Sequence, residues 1–225
     1  MYPEVVIRNK KLKLTKSDKE AIYQILDEQY PAAVTELDFS TPFQLLVATI
    51  LSAQCTDKLV NKVTPALFAV APDAQSMDNL TTEEIAGYIK KCGLYPAKSK
   101  YIKESSHIIA TKYDNEVVPE RNVLESLPGV GRKTANVVLA NAFAIPTFAV
   151  DTHVFRVSQR IGFASGKTPN QIEEQLEKNI PKKMWVKAHH WLILHGRRVC
   201  RARNPLCEQC PISHYCLYYR DIIKS

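Results

Sequence analysis

The chain has 225 residues, 45% of them hydrophobic, with 7 Gly and 13 Pro. That length buries a core as one large domain or two small ones, and the composition excludes a disordered chain. A net charge of +7 and a pI near 9.0 suit a polyanionic partner, either nucleic acid or an anionic membrane surface.

No apolar run reaches membrane-spanning length, and Met1-Tyr-Pro-Glu4 lacks the pattern of a signal peptide. A reducing compartment, the cytoplasm, is therefore expected, and the 6 cysteines are not read as disulfides.

Periodicity reads as helix along almost the whole chain, so the expected class is all-α. Ser17 with Glu20 forms a capping box ahead of Ala21, Ile22, Ile25 and Leu26, and Pro31 stops that helix. Phe43, Leu46, Val47, Ile50 and Leu51 repeat at i, i+3, i+4, i+7 and i+8, the stripe of a helix against a core. Thr56 caps a helix carrying Leu59, Val60 and Val63. Thr81 with Glu84 makes another capping box before Ile85 and Ile89, and Gly93 supplies a C-terminal stop. Tyr101, Ile102, Ser105, Ile108 and Ile109 form one more face.

Leu124 and Leu127 precede the turn Pro128-Gly-Val-Gly131, and a helix through Ala135, Val138, Leu139 and Ala142 runs toward Pro146. Asp151 stands at an N-cap position before Val154, Phe155, Val157 and Ile161, with Gly162 at the end. Thr168, Pro169 and Gln171 open a helix with Ile172, Leu176 and Ile180. Trp185, Ala188, His189 and Leu192 make the last stripe, closed by Gly196. Only Phe143 to Val150 has strand character, and Pro146 interrupts it. No repeat or long linker marks a domain boundary.

The charge is unevenly distributed. Between Lys178 and Cys207 there is no Asp or Glu, while Lys178, Lys182, Lys183, Lys187, Arg197, Arg198, Arg201 and Arg203 all fall there. A second acid-free stretch, between Glu84 and Glu104, holds Lys90, Lys91, Lys98, Lys100 and Lys103. Two such stretches predict a broad phosphate-facing surface. Arg8, Lys10, Lys11, Lys13, Lys16 and Lys19 read as a solvated N-terminal arm.

Three signals carry chemistry. Cys200, Cys207, Cys210 and Cys216 are close enough in sequence to converge on one centre, and soft sulfur selects zinc or iron–sulfur. Zinc sites more often show two CxxC pairs; the single pair here leans toward a cluster. Cys55 and Cys92 read as core residues.

The second signal is LPGVGRKTA, residues 127–135. Gly129 and Gly131 permit a tight turn and leave backbone N–H groups uncovered at a helix start, where they and the helix dipole bind phosphate irrespective of base. With Pro128 before it and Lys133-Thr-Ala135 after it, the segment reads as a helix-hairpin-helix element, the alternative being a tight turn between core helices. The third signal is Lys133 with Asp151. An ammonium in the first helical turn opposes the dipole, which favours the neutral, nucleophilic amine. Singly, Lys133 could equally be a phosphate contact and Asp151 only an N-cap.

In order along the chain, LLVATILSAQCTDKLVNK, IKKCGLYPAKSKYI, LPGVGRKTAN, AVDTHVFRV, HHWLILHGR and the four cysteines together resemble the endonuclease III family. The resemblance covers nearly the whole chain; one departure is Cys55, where family members often carry a smaller residue. It implies two helical domains flanking a DNA-binding cleft. One is a six-helix barrel with the hairpin at 35–145. The other is a discontinuous iron–sulfur domain at 1–34 and 146–225, holding a 4Fe-4S cluster on Cys200, Cys207, Cys210 and Cys216.

The resemblance also implies a bifunctional DNA glycosylase/AP lyase of base excision repair, acting as a monomer on double-stranded DNA that contains damaged bases or abasic sites. Its location would be cytoplasmic and nucleoid-associated, with no membrane partner. Lys133 would attack the anomeric carbon and Asp151 would assist. Gln54 and Leu94 would fill the gap left by a flipped nucleotide, and Arg201 and Arg203 would meet phosphates beside the cluster. A lysine at position 133 points to the branch that removes oxidised pyrimidines and nicks by β-elimination. His153, His189, His190 and His195 read as structural. The rival readings are a DNA-binding module that holds zinc and cleaves nothing, and a cluster-bearing redox sensor. Release of a nicked product separates the enzyme from the first, and activity unchanged between oxidised and reduced forms counts against the second.

Overall fold

The structure, a computed structural model, describes Ile7 and residues 12–222; among these are helices and short 3-10 turns but no strand. The helices in chain order are α1 (Lys16–Gln29), α2 (Pro42–Ser52), α3 (Asp57–Val70), α4 (Ala74–Asp78), α5 (Thr82–Ile89) and α6 (Tyr95–Lys112). There follow α7 (Arg121–Glu125), α8 (Arg132–Ala142), α9 (Thr152–Ile161), α10 (Pro169–Asn179), α11 (Trp185–Arg198) and α12 (Leu217–Ile222). No described helix is long and apolar enough to cross a membrane.

The chain divides into two compact units, Thr35–Ile145 and a discontinuous one made of Met1–Val34 with Pro146–Ser225. The first carries α2 to α8. Its core is built from the apolar stripe of α2 (Leu45, Leu46, Leu51) with Val60, Leu67, Met77, Ile85, Ile89, Ile102 and Val138. The second unit carries α1 and α9 to α12 around Ile22, Leu26, Phe148, Val157, Phe163, Ile172, Leu176 and Trp191. Complete burial of side chains this size stabilises by about 1.5–3 kcal/mol each, which is why the apolar stripes dictate the packing.

Local capping sets most helix starts. Thr41, Thr56, Thr81, Asp151 and Thr168 each accept a backbone N–H three residues on, a contribution of about 1 kcal/mol apiece. The first helix differs from its expected start. Its capping box pairs Thr15 with Asp18, not Ser17 with Glu20, because the same spacing is satisfied two residues earlier.

Two glycines expected to end helices do not. α5 ends at Ile89, before Gly93, and the left-handed residue after it is Leu94 (φ 59°). Gly196 lies inside α11, where an added Cβ would meet His153 Cβ and Val157 Cγ2 at 3.0 Å. The missing side chain thus lets α11 approach α9 closely. The run from Phe143 to Val150 is irregular, with Ala144 at φ 53°. The single-turn helices α4 and α7, and α12, are too short to show a stripe.

Of the predicted N-terminal arm, Arg8, Lys10 and Lys11 lie outside the described residues, as does Met1–Glu4. Lys16 and Lys19 are not in an arm but in α1, where Lys19 donates to Asn179 Oδ1 at 2.6 Å.

Gly162 ends α9 at φ 103°, and a Cβ there would fall 2.4 Å from Leu217 Cδ1. A left-handed conformation costs an L-residue about 1–2 kcal/mol before any clash is counted. Gly162→Ala should therefore lower the thermal unfolding midpoint; an unchanged midpoint would show that α12 accommodates the methyl freely.

Candidate functional site

The hairpin is built from α7, the turn at residues 126–131 and α8. Gly129 takes φ 76°, and any Cβ would lie 2.8–2.9 Å from the Tyr101 ring of α6. Only glycine combines that backbone sign with that approach. Ser105 Oγ of α6 donates to the Pro128 carbonyl at 2.9 Å and fixes the turn.

Gly131 is the N-cap of α8 (φ −98°, ψ 178°) and has open space where a Cβ would be. Having no side chain, it cannot cap the first N–H groups of α8 as Thr and Asp do for the helices above. Those donors, at the positive end of the dipole, form a natural anion cradle. Lys133 is the second residue of this helix and is exposed.

Asp151 belongs to the other unit. Its Oδ1 accepts from the Val154 N–H at 2.7 Å, capping α9, and the carboxylate is half-buried. α9 also carries two buried arginines. Arg156 donates through Nε and Nη2 to the Cys200 carbonyl at 3.2 and 3.0 Å, and through Nη2 to the Gly196 carbonyl at 3.0 Å. Arg160 donates to the carbonyls of Arg201 (2.7 Å) and Ala202 (3.1 Å), and its Nη1 is 3.5 Å from Cys200 Sγ. These bonds shape the backbone on which Arg201 and Arg203 stand exposed.

Cys200, Cys207, Cys210 and Cys216 line one partly open cavity together with apolar groups such as Ile161, Val199, Leu206 and Ile212. Among the described residues no three His, Cys, Asp or Glu side chains gather tightly enough for a single ion. Four thiols on one apolar cavity suit an iron–sulfur cluster, which takes one thiolate per iron. Burial pushes the Cys216 thiol up to about 12 and Cys210 up to about 11. They would give up protons here only to a strongly cationic centre.

His195 lines the same cavity, with Nε2 3.5 Å from Cys210 Sγ and Nδ1 3.2 Å from the Tyr30 hydroxyl. Burial lowers it to about 4, so it is a neutral neighbour of the sulfur. Burial likewise lowers His190 to about 3 and, more mildly, His153.

Gln54 and Leu94 both take left-handed conformations, φ 53° and 59°, in turns that touch: a Cβ on Gly93 would be 3.2 Å from the Gln54 carbonyl oxygen. Both are exposed, Leu94 by 56%. Beneath them Lys98, only 3% exposed, donates to the carbonyls of Leu51 (2.8 Å) and Ala53 (2.5 Å) at the end of α2. A cation at a helix C-terminus is electrostatically favoured.

Lys98 therefore does not face phosphate as its sequence neighbourhood predicted. Neither does Lys103, which is committed to the Asp78 carbonyl and carboxylate. Lys90, Lys91, Lys178, Lys182, Lys183, Arg197, Arg198, Arg201 and Arg203 are exposed. Lys100 and Lys187 are exposed within ion pairs to Glu104 and Asp27.

Comparison with known proteins fits this arrangement. Residues 47–182 match the HhH-GPD superfamily base excision DNA repair protein family, and residues 200–216 match the iron-sulfur binding domain of endonuclease III. Endonuclease III of Escherichia coli K12 is 49% identical over 209 residues, 93% of this chain and 99% of that one. The chain belongs to the endonuclease III family.

The Synechocystis endonuclease III is 47% identical over 92% of this chain and 95% of its own. Among solved structures, a trapped endonuclease III–DNA covalent intermediate superposes with a TM-score of 0.84 at 43% identity, covering 91% of this chain and 98% of that one. A non-covalent endonuclease III–DNA complex gives 0.85 at 40% identity, covering 94% and 100%. This endonuclease III family member is a base excision repair DNA glycosylase with AP lyase activity, and its cofactor is a 4Fe-4S cluster.

The residues that sequence reasoning missed are Arg156, Arg160 and Lys98, buried cations whose partners are carbonyls distant in sequence. Lys98→Met keeps the bulk but leaves the Leu51 and Ala53 carbonyls without their donor. Loss of a charged hydrogen-bonding partner should cost about 2 kcal/mol, read as a lower thermal midpoint. A variant as stable as the parent would mean that burying the ammonium cancels its bonds.

Proposed function

We propose that this chain removes oxidised pyrimidines from duplex DNA and nicks the strand at the resulting or pre-existing abasic sites, with Lys133 as nucleophile and Asp151 as its assistant. The observation that carries this reading is the exposed amine of Lys133 one residue into a helix whose N-terminus is left uncapped. A phosphate held by the N–H groups after Gly129 and Gly131 would set the adjoining sugar beside that amine. The relative captured as a covalent intermediate with DNA supports an enzyme-borne nucleophile.

In this mechanism the Lys133 amine attacks C1′ as the C1′–N bond to the base breaks, and the base leaves with a proton. The sugar ring opens to an iminium. Loss of a C2′ proton then breaks the C3′–O bond, nicking the strand, and water releases the lysine. Asp151 stabilises positive charge developing on the sugar and carries protons. One of its oxygens caps α9 and so fixes its direction. Gln54 and Leu94 fill the space of the flipped nucleotide, while Arg201 and Arg203 bind phosphates.

The partner is DNA; we read lesion-bearing duplex DNA as the substrate, the enzyme as a monomer, and the nucleoid in the cytoplasm as its place of action. Residues 35–145 would serve as the hairpin-bearing barrel, and 1–34 with 146–225 as the cluster domain. Cys200, Cys207, Cys210 and Cys216 would hold the 4Fe-4S cluster, which supplies a structural anchor for the loop carrying Arg201 and Arg203.

Duplexes carrying single defined lesions, scored separately for base release and for nicking, test the function. Oxidised pyrimidines should be released and nicked; release confined to other lesions would overturn the substrate. Lys133→Gln should bind lesion DNA within several-fold of the parent and lose nearly all base release. A mere phosphate anchor would instead lose affinity and keep turnover at saturation. Asp151→Asn should fold and bind DNA yet lose most of its rate, and undiminished turnover would remove Asp151 from the mechanism.

Cys207→Ala should lose iron and acid-labile sulfide and unfold more readily, since ligand loss removes folding energy. Full iron content in that variant would exclude Cys207 as a ligand.

A further inference from the structure

Cys55 and Cys92 are far apart in sequence and outside the cluster segment, yet they flank one contact: Gly93, next to Cys92, packs against the carbonyl of Gln54, next to Cys55. Cys55 directly follows Gln54, and Cys92 lies two residues before Leu94, so each thiol belongs to one of the two left-handed turns. Each residue is held in its turn by its own backbone, Cys55 N–H to the Ser52 carbonyl and Cys92 N–H to the Ile89 carbonyl.

Cys55 is half-buried and within reach of a small solute, whereas Cys92 is only 2% exposed. The Lys98 ammonium stands beside the first of these turns, bonded to the Ala53 carbonyl two residues before Cys55. An accessible thiol beside a cation, with a second thiol behind it, is the arrangement of an attacked and a resolving cysteine.

We propose that Cys55 and Cys92 form an oxidation site at which a peroxide closes a disulfide between the Gln54 turn and the Leu94 turn, slowing the enzyme reversibly. The Cys55 thiolate attacks one peroxide oxygen, breaking the O–O bond and releasing water to leave a sulfenic acid. The Cys92 sulfur then displaces the sulfenic hydroxyl, forming the S–S bond and a second water. Two thiols are oxidised and one peroxide is reduced. Joining the sulfurs in a bond of about 2.05 Å draws the two turns together. Burial pushes the Cys92 thiol up to about 11, which suits the resolving role better than the attacking one.

The effect on activity rests on the reading that Gln54 and Leu94 enter the duplex; the disulfide itself does not. The test treats reduced holoenzyme with equimolar hydrogen peroxide while the visible absorption of the cluster is followed. Free thiols are then alkylated and tryptic peptides mapped without reductant. Peptide 92–98, Cys-Gly-Leu-Tyr-Pro-Ala-Lys, should be found joined to peptide 20–58, which contains Cys55. Base release should slow several-fold with the cluster absorption retained, and dithiothreitol should restore it.

Cys55→Ala should match the untreated parent and show neither change. Both cysteines recovered alkylated after peroxide, or an equal slowing in Cys55→Ala, would overturn the proposal. A joined peptide pair with unchanged base release would overturn its regulatory half. Gln54→Ala and Leu94→Ala, assayed reduced, test the underlying reading separately: base release unaffected in both would refute the insertion role whatever the peptide map shows.

Discussion

Arg156 and Arg160 take two guanidinium groups out of water on one helix, and the carbonyls of Gly196, Cys200, Arg201 and Ala202 are what they receive in exchange. A buried cation without partners would cost several kcal/mol, so the segment after α11 is obliged to fold back over α9. That obligation brings Cys200 to the cavity it shares with Cys207, Cys210 and Cys216. It also presents Arg201 and Arg203 outward. The same helix starts at Asp151, whose carboxylate is its cap. One rigid element therefore links the acid proposed for catalysis to the loop proposed for phosphate binding. A cluster held on those thiols would reinforce this geometry without touching the sugar.

The other unit is the one proposed to offer backbone to a polyanion. Most of its helices close their first turn with a threonine or aspartate. α8 starts at a glycine and α6 at a left-handed leucine, so neither has a side-chain cap. The Gly129 turn gains its rigidity from the Tyr101 ring and the Ser105 bond instead. Lys98 performs a similar service for the Gln54 turn, tying the end of α2 to α6. The turns proposed to meet DNA are thus braced by α6, from Tyr101, Ser105 and Lys98.

The amphipathic helices and most of their caps were legible in the sequence because both signals are local: an apolar stripe and a Thr or Asp three residues from its acceptor. The hairpin and the cysteine cluster were legible for the same reason. Charge was misleading where the protein's own carbonyls claim it. Lys98 and Lys103 read as part of a phosphate-facing stretch, and nothing adjacent in sequence announces their carbonyl partners. Arg156 sits on a helix pattern that predicts only an apolar face, and its partner Cys200 is 44 residues away. Gly93 suggested a helix stop, but α5 ends at Ile89 and the left-handed residue is Leu94, which starts α6; a leucine at positive φ contradicts local preference. Strain of that kind persists only where surrounding contacts enforce it, and it falls on a residue proposed to enter DNA. The roles of Gln54 and Leu94, and the discontinuous domain, came from family resemblance alone.

The central claim is that the Lys133 amine forms the covalent bond to the sugar. Borohydride reduction of the enzyme during turnover on an oxidised-pyrimidine duplex, followed by digestion and mass mapping of the DNA-bearing peptide, tests it most directly. The account predicts a stable adduct on Lys133, absent from Lys133→Gln. An adduct on any other amine, or one that persists in Lys133→Gln, would contradict it.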